Sequence, residues 1–291
     1  MGKQIFYRGI LDFCNYSCPY CPFSKKKESR RKLEQDQRQL FRFAREIGRQ
    51  GFDGAVQIVP YGEALVHGYY WQGMAELSQC SGIQAVGAQS NFSFSVDKMI
   101  GIFAQYGGRK EKIRLWGTFH PDMTPVDEFL SRCELLQREG IRFCVGGVGV
   151  PDHIDVFTEL RKRLGKDIYM WINKMDGSGR RYKEEEIKAF REIDPLFDLE
   201  LHGFRADTEA CRESFLIQGD GTIRSCVLCH QKIGDLYRGG LEQIRQKLCT
   251  RDRCSCYLAY GSRNDIAELA GFQPFPAFRI PAAGAFIQKK K

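Results

Sequence analysis

The chain has 291 residues, of which 43% are hydrophobic and 27% charged, values typical of a folded globular protein. It contains no apolar run long enough to span a membrane and no N-terminal leader pattern, so we expect a cytoplasmic protein with no membrane partner. Twelve cysteines in that compartment favour metal binding over disulfide bonds.

The net charge of +8 is partly concentrated in basic runs at 25–27, 30–32 and 289–291. Such runs are usually solvated surface, and charge alone identifies no partner. The first two runs directly follow a cysteine motif, however, so they are also compatible with an anionic or peptidic substrate.

Apolar runs of strand length alternate with helical patterns over the first two thirds of the chain. We predict strands at 5–13, 55–60, 83–88, 112–118, 141–150 and 167–173. Helices are predicted near 40–47, 70–78 and 96–105, from Thr124 onward, and near 155–164 and 184–193. Thr124 is the expected N-cap of the fourth helix, with Pro125 at its first position. Six strand–helix repeats predict an α/β fold, a partial (βα)6 TIM-like barrel over residues 1–193.

Three cysteines at CxxxCxxC spacing, Cys14, Cys18 and Cys21, follow the first predicted strand. Three thiolates on one loop can bind three irons of a [4Fe–4S] cube and leave the fourth iron open for chemistry. The alternative is a zinc loop. Structural zinc prefers four ligands, and the nearest histidine, His67, is far along the chain.

The motif, with the aromatic Tyr20 directly before its last cysteine, resembles the signature of the radical SAM superfamily. The resemblance implies that the three-cysteine [4Fe–4S] cluster binds S-adenosylmethionine through its open iron. Reductive cleavage then gives a 5′-deoxyadenosyl radical that abstracts hydrogen from a substrate. An electron donor such as flavodoxin or ferredoxin, and a peptide or small-molecule substrate, are also implied. The likeness, strongest over 14–31 and 61–65, extends to a bacterial radical SAM family of about this length.

The second predicted strand ends in Tyr61, Gly62 and Glu63, which is similar to the glycine–glycine–glutamate–proline motif of radical SAM enzymes. That resemblance implies that the backbone and the carboxylate hold the methionyl ammonium of the cofactor. Tyr61 and Ala64 depart from the motif, whereas Gly62 and Glu63 fit it. A glutamate after a strand is otherwise often a charge at the start of a helix.

Polar side chains follow the third and fourth predicted strands, where the active sites of such barrels gather. Ser90 and Asn91 are predicted to contact the cofactor, or else to cap a helix. His120 is predicted to donate to the cofactor carboxylate or to act on the substrate as a catalytic residue. The alternative for His120 is a structural histidine packed before Pro121.

The fifth and sixth strands carry weaker signals. The glycine-rich segment around Gly147 resembles the adenine-contacting segment of the superfamily, although a strand with bulges accounts for it nearly as well. Trp171 lies where the superfamily often cradles adenine, but a tryptophan there is more often core. Cys80, Cys133 and Cys144 are isolated and are predicted to be core residues.

Residues 194–291 are predicted to form a small cysteine-rich extension that begins with a hairpin, with strands at 215–218 and 222–226 around an Asp-Gly turn. The spacing of Cys211, Gly221 and Cys226 resembles the SPASM and twitch extensions of radical SAM enzymes, which implies an auxiliary [4Fe–4S] cluster. The predicted ligands are Cys211, Cys226, Cys254 and Cys256, with Cys249 as a rival for one place. Zinc on the same thiolates is the alternative.

Cys229 has no clear place in a four-cysteine site. It is either a fifth candidate ligand, a catalytic hydrogen-atom donor or a buried thiol. A donor role would make the reaction redox-neutral at the substrate, for example an epimerisation, whereas an oxidation would send an electron into the auxiliary cluster.

The competing functional class is a zinc-binding basic module that contacts nucleic acid or another anionic partner. The barrel pattern and the lack of a nucleic-acid fold signature argue against it, so nucleic acid is an unlikely partner. A radical SAM-like scaffold without catalysis is disfavoured by the intact three-cysteine loop.

Overall fold

The computed structural model describes residues 2–23, 27–175, 179, 181–205, 214–244, 249, 251–261, 263 and 265–282. Within these ranges the chain forms eleven strands and eight α-helices. The strands are β1 Gln4–Arg8, β2 Gly54–Ile58, β3 Ile83–Ser90, β4 Ile113–Thr118, β5 Arg142–Val148, β6 Met170–Asn173, β7 Phe204–Arg205, β8 Ser214–Gln218, β9 Thr222–Arg224, β10 Lys232–Asp235 and β11 Arg253–Cys254.

The helices alternate with the first six strands, as the periodicity predicts. They are α1 Arg30–Arg49, α2 Gly68–Gln79, α3 Val96–Gln105, α4 Val126–Arg138, α5 Ile154–Arg163, α6 Glu184–Ile193, α7 Phe197–Leu201 and α8 Tyr257–Tyr260. Short 3-10 helices occupy Lys110–Lys112, Pro151–His153, Leu241–Gln243, Ala267–Phe272 and Pro276–Phe278.

The main sheet has nine strands in the order β10-β9-β8-β1-β2-β3-β4-β5-β6. Neighbours from β1 to β6 are parallel, each joined to the next by a helix that crosses over one face. This confirms the predicted α/β fold, a partial (βα)6 TIM-like barrel.

Two predicted boundaries are wrong, each for a local reason. The first strand ends at Arg8 rather than at residue 13, because the backbone amides of Ile10 and Leu11 donate to the Asp36 carboxylate instead of to a neighbouring strand. Thr124 is not the N-cap of α4: Pro125 takes that position, and the Thr124 hydroxyl bonds the Tyr16 hydroxyl.

The predicted hairpin is present as the antiparallel pair β8 and β9. Its first strand also pairs in parallel with β1, with Ile5 opposite Phe215, so the hairpin continues the barrel sheet. One sheet therefore contains strands from both sides of the predicted boundary between residues 1–193 and 194–291. The division of the chain into two domains at that boundary remains a prediction.

The sheet separates two apolar cores, because side chains alternate between the faces of each strand. The larger core lies between the sheet and the helices and includes Cys133. The other fills the barrel interior with inward side chains such as Trp116 and Cys144, packed against C-terminal side chains such as Tyr257 and Phe278. Cys133 and Cys144 are buried as predicted, whereas Cys80 is only partly so.

Candidate active site

A pocket opens at the carboxyl ends of the first four strands, where the partial-barrel fold predicts an active site. Its empty volume is about 590 Å³, counting the part open to solvent. The residues that line it are Cys14, Tyr16, Cys18, Cys21, Phe23, Pro60, Tyr61, Gly62, Glu63, Gln89, Ser90, Asn91, Thr118 and His120. Nine residues predicted to hold the cluster or its cofactor are thus brought to one place.

The cysteine loop presents its three thiols to this pocket. Cys18 is buried, while Cys14 and Cys21 are partly exposed. Burial, with the neighbouring Cys14 and Cys21, raises the pKa of the Cys18 thiol to about 11. Three adjacent thiols lose their protons together only when a cationic metal offsets the charge, so this donor set fits a metal group.

The segment leading into the loop is held by a buried aspartate on α1. Asp36 accepts hydrogen bonds from the amides of Ile10 and Leu11, at 2.7 and 3.1 Å. It also accepts from the hydroxyls of Tyr69 and Tyr70 on α2, at 2.9 and 2.7 Å. The loop therefore starts from a position tied to two helices. Asp36 was missed at the sequence level, because nothing local distinguishes it from other polar residues of α1.

The two tyrosines of the loop are anchored by the segment after β4. The Tyr16 hydroxyl bonds Thr124 Oγ1 at 2.5 Å. The Tyr20 hydroxyl lies 2.8 Å from His120 Nδ1, and it also hydrogen-bonds the Cys18 thiol. The motif's aromatic residue therefore connects a predicted cluster ligand to the predicted catalytic histidine.

His120 is mostly buried, and burial lowers its pKa to about 4, an effect that Asp122 partly opposes. The imidazole is therefore neutral near pH 7. Burial raises the pKa of Tyr20 well above its usual range, so its hydroxyl stays protonated and can hydrogen-bond either His120 Nδ1 or the Cys18 sulfur.

Glu63 is buried, with 3% of its surface exposed, and lies between the ends of β2 and β3. Its carboxylate accepts from the amides of Leu65 and Asn91, at 2.9 and 2.6 Å, and from the Ser90 hydroxyl at 3.0 Å. Burial raises its pKa to about 7 despite these three bonds, and among the described residues no basic side chain pairs with it. A buried carboxylate that lacks a basic partner suits a cationic ligand.

Gly62 is required by close packing rather than by backbone freedom. A Cβ on Gly62 would lie 1.7 Å from the carbonyl oxygen of Phe13, which also accepts the amide of Glu63 at 3.0 Å. The end of β2 thus presses against the residue preceding Cys14. Tyr61, by contrast, is 41% exposed, and its ring and hydroxyl contact the Arg8 guanidinium.

Ser90 and Asn91 do not cap a helix. Ser95 caps α3 by accepting the Lys98 amide, which leaves Ser90 and Asn91 at the pocket. Phe92, the next residue, has a φ of 59°, a left-handed conformation that is rare for a bulky residue and common at functional sites. Asn91 also donates to Asn15 Oδ1 at 3.1 Å, linking β3 to the cysteine loop.

Gly147 and Trp171 do not line this pocket. A Cβ on Gly147 would lie 2.4 Å from the Phe157 ring, so helix packing accounts for the glycine. Trp171 is buried in the barrel interior, edge-to-face with Trp116 and beside the Arg279 guanidinium. The geometry places both residues in the core, and a cofactor contact for either remains an untested prediction.

A second group of cysteines lies in the C-terminal third. Cys226 Sγ accepts the backbone amide of Cys229 at 3.1 Å. Cys249 is close enough to both Cys226 and Cys254 to affect their thiol pKa values. The Arg263 guanidinium lies beside Cys254. Cys256 is partly buried, and Cys211 lies outside the described residues.

Over the described part of the chain, no three His, Cys, Asp or Glu side chains are grouped tightly enough to hold a single metal ion. A [4Fe–4S] cube makes a different demand, since each thiolate binds its own iron.

Among the described residues no helix is both long and apolar enough to cross a membrane.

No protein-family model matches the sequence, and a search of curated proteins gives no match. Solved structures do match. Native anSMEcpe with bound AdoMet has a TM-score of 0.56 at 12% identity, over 95% of this chain and 88% of that one. Native anSMEcpe with AdoMet and a Cp18Cys peptide gives 0.55 and 11%, with the same coverage. Its complex with AdoMet and a Kp18Cys peptide gives 0.54 and 12%, over 82% and 80%.

The chain therefore shares the fold of these AdoMet-bound structures over most of its length. At this level of identity the match establishes the architecture, and it confirms the fold that the CxxxCxxC resemblance implies.

Proposed function

We propose that the chain is a radical SAM enzyme whose active site is the pocket at the carboxyl ends of β1 to β4. The observation that carries the proposal is that three thiols meet, in one pocket, a buried carboxylate that pairs with no basic side chain of the described residues. The three thiols suit an iron–sulfur cluster with one open iron, and the carboxylate suits an ammonium ligand.

Cys14, Cys18 and Cys21 would hold a [4Fe–4S] cluster, and Glu63 would receive the ammonium group of S-adenosylmethionine. When bound, this pair supplies reductive cleavage to a 5′-deoxyadenosyl radical that abstracts hydrogen from the substrate. The residues of the pocket would bind the cluster and the cofactor and orient them. Ser90 and the Asn91 amide hold the Glu63 carboxylate in place, and His120 offers a neutral imidazole at the pocket.

The C-terminal cysteines support a proposal for an auxiliary [4Fe–4S] cluster. The amides of Leu228 and Cys229 both donate to Cys226 Sγ, an arrangement that stabilises a thiolate. Cys249 lies near Cys226 and Cys254, so these three thiols are the best-supported ligands. Cys229, three residues after Cys226, is buried and contacts the Cys226 sulfur through its amide, so it is the strongest candidate for the fourth place.

We further propose a peptide or small-molecule substrate. Structures of anSMEcpe contain AdoMet together with a peptide, which supports a peptide for this fold. The net reaction is either an oxidation, with the electron passing to the auxiliary cluster, or a redox-neutral change such as an epimerisation.

Anaerobically purified protein tests the proposal directly. It should hold roughly eight irons if both sites carry cubes. After reduction with dithionite it should cleave S-adenosylmethionine to 5′-deoxyadenosine, measured by chromatography. The Cys18→Ala variant should form none, while Cys133→Ala, which removes a buried thiol on α4, should retain the activity. Normal product from Cys18→Ala, or colourless protein with two zincs, would overturn the proposal.

A further inference from the structure

Helix α1 carries a row of exposed arginines along its outer face: Arg31, Arg38, Arg42, Arg45 and Arg49. At 3.6 residues per turn, these five positions fall within about 60° of one another and extend over about 27 Å. The buried residues of α1, which include Leu40 and Ile47, lie on the opposite side. We call this set the arginine row.

Acidic neighbours on α1 offset only part of the charge of the arginine row, since Glu46 interacts with Arg42 and Arg49. Arg42 is four residues from Arg38 and three from Arg45, and Arg45 is four from Arg49, spacings at which like charges repel. The first turn of α1 contains no acidic residue, although the helix dipole favours one there. Five arginines against two glutamates leave a net positive charge on a face that the core does not use, which suits an acidic partner.

Part of the row is already engaged within the chain. Arg49 pairs with Glu46 at 2.5 Å, and the Arg42 guanidinium stacks 3.6 Å from the centre of the Tyr237 ring. For Arg31, Arg38 and Arg45 the described residues show no ion pair. These three are spaced seven residues apart, about 10.5 Å along the axis.

The helix that carries the row also supports the cysteine loop. Lys32 Nζ lies 2.5 Å from Asp12 Oδ1, and Asp36 holds the amides of Ile10 and Leu11. The inner face of α1 therefore contacts the segment that leads directly to Cys14. A protein docked on the outer face of α1 would be separated from this segment by about the 10–12 Å width of one helix.

We propose that the arginine row is the docking surface for an acidic protein that carries one electron. The inference rests on the proposed function, because a radical SAM cluster must be reduced by one electron before each cleavage. The carrier is oxidised by one electron and the cluster is reduced by one, with no bond made or broken. Such encounters are brief, small in area and steered by charge.

A nucleic acid fits the row less well. Glu34 and Glu46 flank it, about 60° to either side, and would repel a phosphate backbone laid across the helix. A compact acidic surface that contacts the centre of the row avoids both carboxylates.

The test compares two charge-reversal variants. Arg38→Glu/Arg45→Glu alters the row, and Arg138→Glu/Lys162→Glu makes the same charge change on the exposed faces of α4 and α5. The cluster-loaded proteins are mixed with reduced flavodoxin, a strongly acidic carrier, and loss of the oxidised cluster's absorbance is followed by stopped flow. Iron content and circular dichroism confirm that each variant is folded and loaded.

Flavodoxin should reduce the row variant about 10- to 100-fold more slowly than wild type at low salt. The wild-type rate should fall steeply with added salt, whereas the variant's rate should depend on it little. Dithionite, a small reductant, should reduce all three proteins equally fast. The α4 and α5 variant should behave as wild type.

Reduction of the row variant by flavodoxin at the wild-type rate would overturn the docking proposal. So would loss of binding to a labelled RNA oligonucleotide with unchanged electron transfer, which would assign the row to nucleic acid. In both cases dithionite-driven cleavage of S-adenosylmethionine stays intact. A wild-type protein without a reducible cluster would instead overturn the proposed function and the docking proposal together.

Discussion

Replacing Glu63 with glutamine should weaken the binding of S-adenosylmethionine without removing the front cluster. The carboxylate is buried, has no basic partner among the described residues, and lines the pocket beside the cysteine loop. Glutamine keeps the size of the side chain but removes the charge that would meet the ammonium group.

The expected loss of binding free energy is the strength of a hydrogen bond to a charged group, about 1.5–3 kcal/mol. This corresponds to a roughly ten- to hundredfold rise in the Kd for S-adenosylmethionine. The substitution also affects the fold. The carboxylate oxygens accept from Leu65, Ser90 and Asn91, whereas an amide offers only one oxygen. At least one buried donor loses its acceptor, so the variant should be about 1–3 kcal/mol less stable.

The assay titrates S-adenosylmethionine against the EPR signal of the reduced cluster, and thermal unfolding is measured in parallel. Ser90→Ala is the matched control, because it removes one bond to the same carboxylate and keeps the charge. It should cost stability while changing the Kd by less than Glu63→Gln does. Equal affinity in wild type and Glu63→Gln would refute the reasoning, as would an equal loss in both variants.

Four further outcomes are expected. A variant with alanine in place of Cys14, Cys18 and Cys21 should keep about half the iron, since each cube is built from its own thiolates. If the iron content of the folded variant falls to zero, the C-terminal cysteines bind no cluster. Cys229→Ser should lower auxiliary iron if Cys229 is a ligand. If Cys229 is instead the hydrogen donor, the variant keeps its iron but, in deuterated water, no longer places deuterium in the product, as wild type does. Asp36→Ala removes the acceptor of two backbone amides and two tyrosine hydroxyls, so it should destabilise the fold by several kcal/mol in urea titrations, and an unchanged midpoint would contradict this. Burial raises the pKa of Asp194 from 3.8 to about 6, so between these pH values the folded chain holds a proton that the unfolded chain has released. The free energy of unfolding should therefore fall by up to about 3 kcal/mol as the pH rises from 4 to 6. Asp194→Asn should make the free energy of unfolding less dependent on pH over this range.

Much of the site could be predicted from the sequence, because its signals are local. The spacing of Cys14, Cys18 and Cys21 places three thiols on one loop whatever the rest of the chain does. Glu63, Ser90 and Asn91 follow predicted strands, and parallel strands bring their carboxyl ends to one edge. The structure accordingly places these residues in one pocket.

Other parts of the site depend on partners distant in sequence. Asp36 meets the cysteine loop 25 and 26 residues away, and Tyr20 meets His120 across 100 residues. No periodicity or spacing signals such contacts. They follow from the way α1, α2 and the segment after β4 pack at the mouth of the barrel.

The sequence by itself determined the order of strands and helices, the cysteine loop and the polar residues at the strand ends, since each depends on neighbours within a few turns of chain. Only the tertiary structure decided that β8 extends the barrel sheet beside β1, and that C-terminal side chains such as Tyr257 and Phe278 fill the barrel interior. An open sheet edge and an apolar inner face both need a partner, but the strand pattern does not specify which distant segment supplies it. That choice is made when the whole chain packs.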